Sequence, residues 1–251
     1  MADALSDTCA ESTGISAVLP AYNEEAAIEA TVRELRAVLA HTGQPFEIII
    51  VNDGSIDHTG VIADGLARDD AAVRVVHHPR NRGYGAALRS GFAASRREWV
   101  LLMDADGQFD PGELPAFLTA SRAADFVVGY RPTRVDPAHR RLFAKAWAAL
   151  MSLALGVRVR DVDCAFKLMR RSYIAAMPLE AGGAFLSAEL LAKARRMGAR
   201  IVELPVRHLP RSAGRQTGGS VRVLVRALYE FSRLWWRVRR FRPAPPVASL
   251  T

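Results

Sequence analysis

The stretch WVLLMDADGQ, Trp99 to Gln108, decides the fold. Its apolar run is too short for a packed helix, follows the charged Arg96, Arg97 and Glu98, and stops at a carboxylate, which is the pattern of a buried β-strand. Asp104 and Asp106 sit at i and i+2 where that strand runs out. Side chains at this spacing point the same way, so both carboxylates are able to grip one divalent ion. Taken alone, DADG also reads as an Asp-Gly turn.

Outward from this segment the same grammar repeats. ISAVLP (15–20), FEIIIVND (46–53), VRVVHH (73–78) and DFVVGY (125–130) read as further strands. Between them EEAAIEATVRELRAVLA places Ile28, Val32, Leu35, Val38 and Leu39 at helical spacing and closes at Gly43 and Pro45. Shorter helices are expected over 59–67, 86–94 and 113–121. Strands alternating with helices predict an α/β class with a mostly parallel, Rossmann-like sheet. Ligands of such sheets bind beyond the carboxyl ends of the strands, which points to PAYNEE, NDGS and DADGQ.

The rhythm weakens after Tyr130. Residues 138–155 and 185–198 read as helices, and IVELPVRHL as a late strand broken by Pro205. RSAGRQTGGS is a loop by composition. From Ser220 to Phe241, Val221, Leu224, Val225, Leu228, Phe231, Trp235 and Val238 line one helical face, and Arg222, Arg226, Arg233, Arg237 and Arg240 another. The expected division is a flexible tail over 1–14, a catalytic domain over 15–219, a basic amphipathic helix over 220–241 and a disordered Pro-rich tail over 242–251.

Composition limits the function classes. The 251 residues carry a net charge of +8. Residues 1–130 hold 10 Lys/Arg against 19 Asp/Glu, and residues 131–251 hold 24 against 7, so the second half is the part that meets polyanions. No helix-turn-helix, zinc finger or RNP aromatic motif accompanies the charge, which argues against nucleic acid. Cys9 and Cys164 fit no metal or redox spacing, as in a reducing cytoplasmic protein, and Cys164 is expected to be buried. The acidic N-terminus does not resemble a targeting peptide. The longest apolar stretch, Ala146 to Val157, falls short of the ~20 residues that cross a bilayer.

Candidate ligand residues follow from these loops. Asp53 is an acceptor for a base or ribose, or else a capping residue. NRGYGAALRSG (81–91) begins like a dinucleotide fingerprint, but its third glycine position is Leu88, so it is a tight turn into a helix. GxxxxGK[ST] is absent, which excludes a P-loop nucleotidase.

In order, VLPAYNEE, IIIVNDGSIDHTG, NRGYGAALRSGF, LLMDADGQFDP, GYR, DVDCAFKLMRRS and ELPVRHLPR resemble glycosyltransferase family 2, in its dolichyl-phosphate mannose synthase and polyprenyl-phosphate glycosyltransferase branch. The resemblance spans about 15–220. It implies a GT-A fold, with Pro20, Tyr22, Glu24 and Asp53 on a GDP- or UDP-sugar donor. It implies Mg²⁺ or Mn²⁺ and diphosphate at Asp104, Ala105 and Asp106 with Gln108, the metal on Asp104, Asp106 and Gln108. Arg131 and Arg211 match phosphate clamps, and Asp161 an acidic residue on the acceptor side. Asp104, Asp106, Asp161, Arg131 and Arg211 form the implied catalytic set.

The implied reaction moves a sugar, mannose or glucose being the examples, to a polyprenyl phosphate with inversion. The alternative is a glycan or other hydroxyl acceptor, for which Asp161 or Asp163 is the candidate base. Ala165 stands where the family carries Gly, which alters the acceptor side. Trp235, Trp236 and Phe241 beside Arg233, Arg237, Arg239 and Arg240 suit an anionic membrane surface at the inner face. Packing of that helix on its own domain or on a second copy of the chain is the competing expectation.

Overall fold

The computed structural model describes residues 12–132, 152–183, 185–210 and 221–243, with the side chains of 12 and 221–230 outside the description. Seven strands form one sheet: β1 Ser12–Ala21, β2 Phe46–Asn52, β3 Val73–His77, β4 Arg97–Leu102, β5 Phe126–Tyr130, β6 Lys167–Arg170 and β7 Ile201–Pro205. Their order is β3-β2-β1-β4-β6-β5-β7. All neighbours pair parallel except β6, which runs antiparallel between β4 and β5. The mostly parallel sheet agrees with the α/β expectation.

β1 lies at the centre of the parallel part, with Val18 paired to Ile49 on one side and to Leu102 on the other. Ile48, Ile49, Ile50 and Val51 are all fully buried, as an unbroken apolar strand covered on both faces must be. Alternate residues feed two cores. Val18, Ile49, Val51, Val100 and Leu102 face one, and Ala17, Leu19, Ile48, Ile50 and Leu101 the other.

The second core is closed by α1 Ile28–His41, through Ile28, Val32, Leu35 and Leu39, and by Leu114 and Phe117 of α4 Leu114–Ser121. The first is closed by Leu88 and Phe92 of α3 Tyr84–Ala94. α2 Thr59–Asp69 lies between β2 and β3 in the chain. α3 sits unusually near the sheet because Gly91 has no side chain: a Cβ there would lie 2.3 Å from Val18 Cγ1.

Beyond Tyr130 the described residues also include the helices α5 Arg171–Ala175, α6 Phe185–Arg196 and α7 Val221–Arg240. β6 and α5 were not expected from the sequence, because a four-residue strand opened by Lys167 has neither length nor clean alternation. The expected helix over 138–155 lies outside the described residues except for a helical turn at 152–155. α7 buries Leu234 and Val238 against its own domain and half-buries Phe231 and Trp235, while Trp236 remains 55% exposed. β1 begins at Ser12, inside the expected tail.

The Gly91 contact yields a prediction. Gly91→Ala forces a methyl into Val18 and should destabilise the protein by about 1–3 kcal/mol, the usual cost of overpacking. Urea unfolding checks this, and an unchanged midpoint would contradict the packing described.

Candidate active site

The carboxyl ends of β1, β2 and β4 open into a cleft of about 580 Å³, with the turn into α3 as its further wall. Pro20, Ala21, Tyr22 and Glu24 line it after β1, Asp53 after β2, and Asp104, Ala105 and Asp106 after β4. Asn81, Gly83, Tyr84 and Ala87 complete it. The three loops singled out in the sequence thus meet at one place.

Hydrogen bonds from backbone N–H groups to side-chain oxygens hold the first two loops together. Asn23 N–H donates to Ser55 Oγ at 3.0 Å, Ile56 N–H to Asn23 Oδ1 at 2.9 Å, and Glu24 N–H to Thr59 Oγ1 at 2.8 Å. Asn23 adopts φ of 57°, a conformation Asn tolerates better than most residues. Tyr22 is left 43% exposed at the mouth.

Asp53 is engaged more heavily than a free acceptor would be. Its Oδ1 accepts from His78 Nδ1 at 2.5 Å and from Arg82 N–H at 2.9 Å, and its Oδ2 from Gly83 N–H at 2.8 Å. His78 Nε2 in turn meets Ser90 Oγ at 2.8 Å. Asp53 therefore borders the cleft and fixes the loop that leads into α3. His78, its buried partner, was not singled out in the sequence, where the second of two adjacent histidines ending a strand gives no distinguishing signal.

Asp104 and Asp106 leave β4 one after the other. Tyr84 Oη donates to Asp104 Oδ1 at 3.0 Å, and Asp106 Oδ1 accepts the Gln108 N–H at 3.1 Å. Displacement of water by the surrounding protein pushes the Asp104 carboxyl up to about 7, the charge of Asp106 adds to this, and Tyr84, Lys167 and Arg131 oppose it. The same desolvation, with Asp104 beside it, drives the Tyr84 phenol well above its ordinary range. Two hard oxygen donors, one disfavoured as an anion by its neighbour, fit Mg²⁺ or Mn²⁺. Among the described residues no group of three or more His, Cys, Asp or Glu side chains supplies a fuller ligand set. Oxygens of a bound ligand and water would complete the shell.

Gln108 contacts the segment after β7. It is absent from the cleft wall, and its amide Nε2 donates to the Leu209 carbonyl at 3.2 Å. The reason is local: Leu209 N–H also bonds the Gln108 carbonyl at 2.8 Å, clamping the segment after β7 onto this turn.

Arg131 and Asp161, expected as a phosphate clamp and an acceptor-side acid, are joined to each other. Arg131 Nε lies 2.7 Å from Asp161 Oδ2, and Nη2 3.1 Å from Oδ1. This fork uses both carboxylate oxygens but only two of the five guanidinium N–H groups, so Arg131 keeps donors for a further anion while paired. Burial works against the guanidinium charge, but the hydrogen bond and charge of Asp161 outweigh it and hold Arg131 above its ordinary range. Arg211 lies outside the described residues.

Lys167, on β6, is fully buried and donates to the Cys164 carbonyl. Burial pulls its ammonium below the ordinary lysine range, while Cys164, Asp163, Asp161 and Asp104 pull the other way. Its sequence signal was a lysine inside an apolar run. Cys164 is buried as expected, its thiol pushed up to about 11 mainly by desolvation. Asp163 is exposed, and its charge reaches Tyr84, Arg131 and Lys167. Ala165 is buried behind this turn.

A cleft over parallel strand ends is where open α/β sheets bind ligands, and the chain belongs to glycosyl transferase family 2, which it matches over residues 16–177. It is 32% identical over 219 residues to an undecaprenyl-phosphate mannosyltransferase of Micrococcus luteus, covering 81% of this chain and 88% of that protein. It is 36% identical over 165 residues to an undecaprenyl-phosphate 4-deoxy-4-formamido-L-arabinose transferase of Pseudomonas aeruginosa. That match covers 65% of this chain and 49% of the relative, so the chain spans about half of that protein. A solved glucosyl-3-phosphoglycerate synthase of Mycobacterium tuberculosis, in complex with Mn²⁺, UDP-glucose and phosphoglyceric acid, superposes with a TM-score of 0.66 at 23% identity. It covers 92% of this chain and 81% of that one, and bears out the GT-A fold.

Asp161→Asn should cost about 3 kcal/mol of stability, because it strands a largely buried guanidinium. The double replacement Arg131→Met with Asp161→Leu should recover much of that loss. Denaturant midpoints of the three proteins check this, and an unaltered Asp161→Asn midpoint would mean that the pair holds nothing.

Proposed function

We propose that this chain transfers a sugar from a nucleotide-sugar donor to a polyprenyl phosphate, with inversion at the anomeric carbon. The observation that carries the reading is the meeting of Asp104 and Asp106 with the Tyr22, Glu24 and Asp53 loops in one cleft. The near full-length likeness to the Micrococcus luteus mannosyltransferase supports the acceptor class.

In this reading the wall from Pro20 to Glu24, together with Asp53 and Asn81, receives the nucleoside, either GDP or UDP. The diphosphate lies towards Gly83 and the acidic pair. Asp104 and Asp106 hold Mg²⁺ or Mn²⁺, which when bound supplies positive charge to the departing diphosphate. Tyr84 keeps Asp104 oriented for that task, and Lys167 offsets the negative charge gathered behind it. Arg131, held in place by Asp161, offers its remaining N–H groups to the acceptor phosphate. A polyprenyl phosphate with a second pKa near ~6 is already largely ionised at neutral pH, so no strong base is required. Orientation and charge stabilisation then account for the rate.

The acceptor is membrane-borne, and α7 suits an interfacial position at the cytoplasmic face. It turns Trp236, Arg233, Arg239 and Arg240 outward, the last two stacked on Trp235 and Trp236 at 4.0 and 4.9 Å. Among the described residues no helix is long and apolar enough to cross a membrane.

Purified protein with Mn²⁺, a panel of sugar nucleotides and a short polyprenyl phosphate tests the reading. Nucleoside diphosphate should appear only when lipid is present, and EDTA should stop the reaction. Asp106→Ala should abolish turnover with its melting temperature unchanged. Release into a hydroxyl acceptor without lipid would instead favour the glycan reading with Asp163 as base, and full activity in EDTA would remove the metal.

A further inference from the structure

A heavily buried ion pair lies away from the cleft on α6. Glu189 and Lys193 are 0% and 2% exposed at their side chains, with Oε1 and Nζ 2.7 Å apart. Such a pair survives desolvation only when further hydrogen bonds complete it. Here they all go to one short segment. Glu189 Oε2 accepts the N–H groups of Glu180 and Ala181 at 2.8 and 2.7 Å, and Lys193 donates to the Pro178 carbonyl. Residues 178–181 are thereby held by this pair, and Glu180 also by Arg237 of α7 at 3.1 Å.

Their other side presses on α3. The Ala181 carbonyl accepts from Arg89 Nη1 at 2.7 Å. At Gly85 a Cβ would come within 2.9 Å of the Ala181 oxygen and 3.0 Å of the Gly183 nitrogen, so only glycine allows this approach. Gly85 directly follows Tyr84, whose hydroxyl holds Asp104, and Gly83, whose N–H is held by Asp53. Glu189 is thus linked, through 180–181 and then Arg89 and Gly85, to the wall of the cleft.

We infer that Glu189 and Arg89 are positioning residues of the donor site: they brace the first turn of α3 from behind, so that Gly83 and Tyr84 present a fixed surface to the diphosphate and the acidic pair. The inference rests on the proposed reading of the cleft as the donor site, but the brace itself is measurable without a ligand.

The test combines hydrogen exchange on the free protein with steady-state kinetics. Arg89→Met, a substitution outside the core pair, and Glu189→Gln should each speed exchange of the Ala86 and Ala87 amides, which bond the Gly83 carbonyl, about tenfold, as expected for losing one hydrogen bond to or from a charged group. Exchange in α1 should stay unchanged, and Arg89→Lys, which keeps a donor for the Ala181 carbonyl, should restore most of the protection. The KM for the sugar nucleotide should rise about as much with little change in the KM for acceptor, and Tyr84→Phe should add less to Arg89→Met than it costs alone. Unaltered exchange in α3, equal acceleration in α1, or strictly multiplicative kinetic effects would overturn the brace. If the wild-type protein binds no sugar nucleotide while the exchange result holds, the donor reading falls and the brace stands as a property of the fold.

Discussion

Two carboxylates leave the same buried strand and face the same small volume, and the surrounding structure answers that electrostatic problem. Asp104 is the harder of the two to ionise, because water is largely displaced from it and Asp106 lies beside it. Here the compensation is partial: a phenol donates to one oxygen, a buried ammonium lies behind, and an arginine is held nearby by its own carboxylate. What remains is a demand for positive charge on the open side, where the cleft lies. Perturbed groups of this kind gather at functional sites.

The sheet makes the arrangement inevitable once β1 takes its central place. Parallel pairing of β2, β1 and β4 brings three carboxyl ends level, so loops far apart in sequence become neighbours. Because the strands are covered on both faces, polar residues can gather only at their ends. The antiparallel β6 adds Lys167, whose charge acts on Asp104, and follows the turn whose Asp163 charge reaches Tyr84. α3 closes the site, near enough to the sheet for Gly91 to be obligatory.

The parallel core was legible because Ile48–Val51, Val18–Leu19 and Val100–Met103 are uninterrupted apolar runs that end in polar residues. α1 was legible from Ile28, Val32, Leu35, Val38 and Leu39, of which the structure buries all but Val38, left half-buried, and adds Thr31. Pro20, Tyr22, Glu24, Asp53, Asp104, Ala105 and Asp106 were legible as strand-end residues, and all seven line the cleft. Partnerships were not legible. Nothing in GYR or DVDC announces that Arg131 and Asp161 will bind each other, nor that Asp53 will hold the 82–83 backbone, because these contacts depend on which strands become neighbours. β6 was missed for the same reason, its four residues being a strand only by virtue of lying between β4 and β5. In α7, Leu234 was missing from the residues named for the apolar face yet is fully buried, and its i+3 spacing from Phe231 and i−4 spacing from Val238 place it on that face.

The central claim is that the acidic pair shares a cation with the donor diphosphate. Anomalous diffraction at the manganese edge, from crystals grown with Mn²⁺ and a UDP- or GDP-sugar, addresses it most directly. The account predicts a single peak at about 2.1 Å from carboxylate oxygens of both Asp104 and Asp106, with diphosphate oxygens on its cleft side. A peak elsewhere, or a nucleotide bound in the cleft with its diphosphate turned away from both aspartates, would contradict it.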